Sequence, residues 1–247
     1  MGGWLKDMMH RKPIVTCAEM KELEQRADEA GLSYYQMMEN AGSTAYDIIM
    51  AEQEHFLHKA CVFCGKGNNA GDGFVIARKI LEHGDQVRIV LTSGEPTTPD
   101  AITNYELIRD RIEIIRLYES APEQAAADLE KALCDMKEDD LLIDAIFGTG
   151  FHGTPRGNAA AAIDYMIAHR DDRMIYAIDI PSGLSGDEEG EVRPEKAVYA
   201  DFTISFHARK PVHANQYPMI ADHMGQVVVA DIGIGTALEC VKGDGSF

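Results

Sequence analysis

The stretch Gly65-Lys66-Gly67-Asn68-Asn69-Ala70-Gly71-Asp72-Gly73 separates an apolar segment, Ala60 to Cys64, from a helical pattern, Phe74 to Leu81. A strand that breaks on glycines and restarts as a helix is how α/β folds bring backbone N–H groups against an anion. The glycine spacing is not the dinucleotide fingerprint. Two adjacent carboxamides plus an acid are also unusual cargo for a phosphate loop, so the loop is expected to hold something beyond phosphate.

From Lys59 onward strands and helices alternate regularly. Strands are expected near 60–64, 87–92, 113–117, 140–146, 173–180, 200–206 and 226–231, with helices near 72–83, 98–110, 122–134 and 157–169. Continuous apolar runs such as Leu141-Leu142-Ile143 and Met174 to Ile178 suit a parallel sheet covered on both faces. Two helices precede the first strand. Thr16 with Glu19 forms a capping-box signature, and Ser33 is placed to cap the second helix. The expected architecture is a Rossmann-like, three-layer, doubly wound α/β fold with a mostly parallel sheet and an N-terminal helical extension. It is read as a single domain over 1–247, with helices in 10–58 and the α/β core in 59–235. The last part lacks a long helical pattern and is expected to add one or two strands at the sheet edge.

Composition excludes several function classes. The chain of 247 residues is 45% hydrophobic, enough for a sizeable core, and its 23 basic against 41 acidic residues give a formal charge of -18. That balance repels phosphate backbones, and no local basic patch opposes it, so no nucleic-acid partner is expected. No apolar run approaches the roughly 20 residues of a membrane span. The first residues lack a signal-peptide core, and Lys6 spoils a myristoylation match at Gly2. Five cysteines, an odd number in a chain too large to need staples, fit reduced thiols and a cytoplasmic location. Cys61 and Cys64 have redox-motif spacing, but within a strand a separation of three puts them on opposite faces, as core residues.

Two further glycine-rich segments follow expected strands: Asp144 to Gly157 and Asp179-Ile180-Pro181-Ser182-Gly183-Leu184-Ser185-Gly186-Asp187. In a parallel sheet all three loops emerge at the carboxyl edge, where open α/β folds bind ligands. Asp144 and Asp179 each close an apolar strand, where an unpaired carboxylate is costly to bury. A cation ligand at Asp144 and a general base or substrate anchor at Asp179 account for that placement, as does acceptance of loop N–H groups. Asn68 and Asn69 also suit turn conformations, Asp72 suits an early helix cap, and Ser182 suits a cap after Pro181. His152 and Lys66 are as readily solvated as ligand-bound, and Glu188 and Glu189 read as a solvated charge run.

The combination Asn-Asn-Ala-Gly-Asp-Gly, Asp-x-x-x-Gly-Thr-Gly and Asp-Ile-Pro-Ser-Gly-x-x-x-Asp, closed by Gly225 to Ile234, resembles the NAD(P)H-hydrate epimerase family. The resemblance covers nearly the whole chain. It implies an isomerase that interconverts the R and S forms of hydrated NADH and NADPH, so that a separate or fused dehydratase can restore the cofactor. It also implies one potassium ion per subunit and a homodimer. Carried over by position, Asn68, Asn69, Ala70, Gly71 and Asp72 would contact the hydrated dinucleotide. Gly148, Thr149, Gly150, Phe151, His152, Gly153 and Thr154 would wrap it. Asp179 would contact it and is the first candidate for acid–base catalysis. Asn69, Asp144 and Ser182 would be potassium ligands, an all-oxygen set that suits a large, undemanding cation better than zinc.

Two departures stand out. Ala70 replaces the family's usual glycine, which is harmless in a helical or extended backbone and strained at positive φ. Lys210-Pro211 resembles a family segment, but Val212-His213 departs from the glycine expected there, so Lys210 is left outside the site. The chain stops soon after Ile234, about where bacterial relatives continue into a dehydratase; a free-standing epimerase or one domain of a larger protein fits equally. A binding or scaffold module that lost turnover is the competing reading, against which Asp144, Asp179 and Asp187 all remain. An isomerase or hydrolase for another nucleotide-like ligand is the third.

Overall fold

A computed structural model describes residues 14–53 and 59–243. The initial residues and the ends of the expected 10–58 extension lie outside the described residues. Helix α1 (Cys17–Glu29) and helix α2 (Tyr34–Glu52) come first. Thr16 and Glu19 form the expected capping box, and Ser33 accepts the Gln36 amide.

The core then runs β1 (Lys59–Cys64), α3 (Asn68–His83), β2 (Gln86–Leu91), α4 (Pro99–Glu106), β3 (Glu113–Arg116), α5 (Ala125–Ala132), β4 (Leu141–Ala145), α6 (Gly157–Ala168) and β5 (Ile175–Ile178). It ends with β6 (Phe202–Phe206), the short α7 (Pro211–Ala214), α8 (Pro218–Met224), β7 (Gln226–Ala230) and α9 (Ile234–Gly243). The seven strands lie in the order β3-β2-β1-β4-β5-β6-β7, and every pairing is parallel. This is the Rossmann-type order with one strand added, and its switch point falls between β1 and β4.

Alternation along β1 divides the core. Ala60, Val62 and Cys64 pack under α1, α2, α3 and α4, while Cys61 and Phe63 pack under α5 and α6 on the opposite face. The two cysteines are thus buried core thiols on opposite sides of the sheet. The buried phenol of Tyr176 is satisfied by Gln53, whose Nε2 donates to it at 2.8 Å. Helix α9 corrects the expectation of a helix-poor end.

Close packing explains two glycines in the opening loop. A Cβ on Gly65 would lie 2.1 Å from the Ile146 carbonyl oxygen, and one on Gly73 would lie 2.7 Å from Ala145 Cβ. Glycine here lets the β1 loop and α3 press against β4, closing the switch point from one side.

Candidate active site

The first loop is shorter than expected. Gly67 is the N-cap of α3, so Asn68, Asn69 and Ala70 form the first helical turn instead of a turn before it. Ala70 is helical and fully buried, which removes the concern about positive φ. Asp72 is correspondingly a second-turn residue and no cap. Gly67 supplies no side-chain cap, so the first-turn N–H groups keep donor capacity toward a ligand.

The peptide of Phe147 joins the three loops. Its carbonyl accepts from Asn69 Nδ2 at 2.9 Å, and its N–H donates to Ser182 Oγ at 2.9 Å. Ser182 in turn holds Asp144: its Oγ donates to Oδ1 at 2.6 Å and its N–H to Oδ2 at 2.7 Å. The Ile146 amide adds a third bond to Asp144 Oδ1 at 3.2 Å. Asn69, Asp144 and Ser182 are therefore brought together around one residue. Burial pushes the Asp144 carboxyl up to about 6, against the opposing pull of the Ser182 and Ile146 bonds. No cationic side chain pairs with it among the described residues.

Asp179 follows β5 with a φ of 67°, a left-handed conformation uncommon for a residue with a side chain. Its amide is held by the Ile204 carbonyl at 2.8 Å. Oδ2 accepts the Thr149 amide at 3.1 Å, and Oδ1 receives Lys210 Nζ at 2.6 Å. Lys210 is the residue that the sequence reading left out. Its ammonium also donates to Ser205 Oγ and the Phe206 carbonyl, both at 3.1 Å, which uses all three donors. The departing residue His213 supports it: Nδ1 accepts the Lys210 amide at 3.0 Å. Burial, then the neighbouring Lys210 charge, press the His213 imidazole down to about 4, so it is neutral in this role. The available sequence signal was the Lys210-Pro211 pair shortly after β6.

Gly148 borders a cradle formed by Asp179 and Asn69. A Cβ there would sit 3.1 Å from Asp179 Oδ2 and 3.3 Å from Asn69 Oδ1. Phe147 and Phe151 stack with centroids 4.3 Å apart, giving the second loop a flat apolar surface beside these oxygens. The rim is looser. His152 Nδ1 meets Ser185 Oγ at 3.3 Å, Thr154 Oγ1 donates to Glu195 at 3.0 Å, and Gly150 and Gly153 are exposed or turn-forming. Lys66 is exposed, and its carbonyl is bound by Thr97.

More acids surround the Asp179–Lys210 pair. Burial, reinforced by Asp179 and Glu24, raises Asp72 well above the usual carboxylate range. Asp187 accepts the Cys17 amide at 2.7 Å, fastening the start of α1 to the third loop. A groove of about 890 Å³ runs along the outer β7 edge beside Ile14, Arg209 and Val227 to Val229, and His213 also lines it. Among the described residues no trio of His, Cys, Asp and Glu side chains is arranged to hold a metal ion, and no helix is long and apolar enough to cross a membrane.

Together these features define a Rossmann-like α/β protein whose polar centre lies at the strand carboxyl ends, next to the switch point. The chain belongs to the family described as YjeF-related protein N-terminus, whose model matches residues 34–212. It is 31% identical over 229 residues to the NAD(P)H-hydrate epimerase of Roseobacter litoralis, covering 90% of this chain and 99% of that protein. A similar protein from Pirellula staleyi, also named NAD(P)H-hydrate epimerase, is 34% identical, with 85% and 90% covered. The bifunctional NAD(P)H-hydrate repair enzyme Nnr of Archaeoglobus fulgidus is 33% identical over 95% of this chain, which spans only 45% of that relative's length. The fold is also that of the yeast protein ynu0 (YNL200c), with a TM-score of 0.67, 17% identity, and 88% and 87% of the two chains covered.

Proposed function

We propose that this protein interconverts the R and S epimers of hydrated NADH and NADPH. The observation that carries the reading is Asp179, buried and held by Lys210 and the Thr149 amide at the mouth of the glycine loops. It stands in a chain similar over nearly full length to proteins named for this activity. Hydration of a dihydronicotinamide puts a hydroxyl on the carbon beside the ring nitrogen. Inverting that carbon requires a bond to it to break and re-form, with protons moved at the oxygen and the nitrogen. Asp179 is the acid–base residue in this reading, at the edge of the Gly148 cradle. Asn68 to Asp72 and Gly148 to Thr154 bind the dinucleotide, with the α3 N–H groups directed to its phosphates and the Phe147–Phe151 surface to a ring.

A potassium ion belongs to the same proposal. The oxygens of Asn69, Asp144 and Ser182 suit a hard cation, and buried Asp144 has no cationic partner among the described residues. These three residues would hold the ion, which supplies positive charge that offsets the carboxylate and ties the loops together. The product epimer would pass to a dehydratase, fused or separate.

The test starts from a single purified epimer of hydrated NADH and follows its conversion by chromatography. Exchange well above the spontaneous rate is expected, and Asp179→Asn should nearly abolish it. A rate equal to buffer alone would overturn the reading.

A further inference from the structure

Helix α1 is anchored over the site at its start. The Cys17 amide donates to Asp187, and the Val15 amide donates to the carbonyl of Arg209, next to Lys210, at 2.8 Å. The packing is close: a Cβ on Gly186 would lie 2.4 Å from Cys17 Sγ and 3.9 Å from Lys210 Cγ. From this end Met20, Glu24 and Ala27 recur at helical spacing on one stripe, and Met20 and Ala27 are core residues. Glu24 is carried inward with them. It is partly buried, and no hydrogen bond engages its carboxyl group among the described residues. This partly buried acid lies on a core-facing stripe near the buried Asp179–Lys210 pair, with no hydrogen-bond partner among the described residues.

We propose that Glu24 is a second acid–base residue of this site, the proton donor that complements Asp179. The inference rests on the epimerase reading. In the step it implies, the bond between the hydroxyl-bearing carbon and the ring nitrogen breaks, and its electron pair goes to the nitrogen. Glu24 gives that nitrogen a proton, while Asp179 takes the hydroxyl proton and the carbon becomes an aldehyde. Rotation about the neighbouring carbon–carbon bond presents the other face. Re-formation of the carbon–nitrogen bond returns one proton to Glu24, and Asp179 returns the other to the oxygen. No electrons leave the substrate, and both residues end as they began.

The electrostatics agree. Burial, then the charge of Asp179, lift the Glu24 carboxyl to about 7, with Lys210 and Lys21 opposing. A proton donor works best with a pKa near the operating pH. Asp72 on α3 is raised as well, by burial first and then by Asp179 and Glu24. The charged and titratable groups around Glu24 are Lys21 on its own helix, Tyr34 at the start of α2, Asp72 on α3, Asp179 after β5 and Lys210 before α7.

The deciding measurement is the epimer exchange rate from pH 5 to 9 in the unmodified protein, Glu24→Gln and Glu24→Asp. The unmodified protein should lose activity as pH rises through about 7. Glu24→Gln should be slower by roughly 100-fold at pH 6, with little change in KM, and should lose that alkaline limb. Glu24→Asp should restore part of the rate and the limb at a shifted position. If Glu24→Gln keeps the original rate and limb, the inference falls while the epimerase reading stands. If the unmodified protein does not exchange the epimers, the functional reading falls and takes this inference with it. Should Glu24→Gln not fold, Glu24→Asp decides: an unmoved limb at full rate overturns the role.

Discussion

Lys210 Nζ lies 2.6 Å from Asp179 Oδ1, and the two side chains are only 1% and 10% exposed. The pair crosses from the end of β5 to the segment after β6, and each member is fixed by further bonds. Asp179 uses its other oxygen on the Thr149 amide, and Lys210 fills its remaining donors with Ser205 and Phe206. The left-handed backbone at Asp179 is retained because its surroundings over-determine it. Such a centre presents a carboxylate in one orientation before any ligand arrives, which is what acid–base chemistry at a defined carbon requires.

Removing one partner of a buried pair costs far more than the pair contributes, because it leaves an uncompensated charge. Lys210→Met is expected to lower stability by roughly 3–5 kcal/mol. Adding Asp179→Asn in the same chain should recover much of that loss. Urea unfolding of the two single variants and the double variant measures this. A Lys210→Met loss below about 1 kcal/mol, the range of exposed pairs, would mean that the ion pair is not buried as described.

The legible parts of this molecule are those set by local chemistry. Thr16 with Glu19, Ser33 before its helix, and the opposite faces of Cys61 and Cys64 depend on spacing alone and stand as read. The parallel sheet was legible from apolar runs, although β5 is shorter than expected. The run continues through Asp179 and Ile180, but the positive φ at Asp179 ends the strand. Helix α3 starts at Asn68 because Gly67 serves as its N-cap, which propensity arguments for a turn at the two asparagines did not capture. Helix α9 was missed where Gly233 and Gly235 interrupt the pattern. Lys210 was missed for a non-local reason. Only the pairing of β5 with β6, Ile178 beside Ile204, brings it to Asp179, while the unexpected His213 argued against its segment.

Gly148 offers a test of the cradle that leaves every polar group in place. A methyl group there would have Asp179 Oδ2 and Asn69 as its nearest neighbours, at 3.1 and 3.3 Å. Gly148→Ala should therefore reduce epimer exchange by at least about 10-fold, the effect of a misplacement far smaller than 1 Å. Its thermal midpoint should stay within about 2 °C of the original, as expected for a change well under 1 kcal/mol. Full activity in this variant would show that the substrate does not use the cradle.

A cation that binds only the folded protein must stabilise it. Replacing choline chloride by potassium chloride at equal ionic strength is expected to raise the thermal midpoint by about 2–4 °C, equivalent to roughly 1 kcal/mol for a chain of this size. Asp144→Asn removes the charge that the ion would offset, so the same replacement should leave that variant's midpoint unchanged. Calorimetry of both proteins in both salts decides it. A potassium effect that survives in Asp144→Asn would place the ion elsewhere.

Glu24 should also impose a pH dependence on stability. Its carboxyl is lifted from 4.5 to about 7 in the folded protein, so between those values the folded state holds a proton that the unfolded chain has released. Stability falls with rising pH wherever the folded state binds more protons, so Glu24 costs stability progressively from pH 4.5 to 7 and by a constant amount above. Glutamine keeps the shape and cannot ionise. Glu24→Gln is therefore expected to match the original protein near pH 4 and to unfold at a higher urea concentration than it does at pH 8. Paired urea titrations at the two pH values measure the difference. A variant equally affected at both would mean that Glu24 ionises as freely in the folded protein as in the unfolded chain. Its burial and the neighbouring Asp179 charge would then have no energetic consequence.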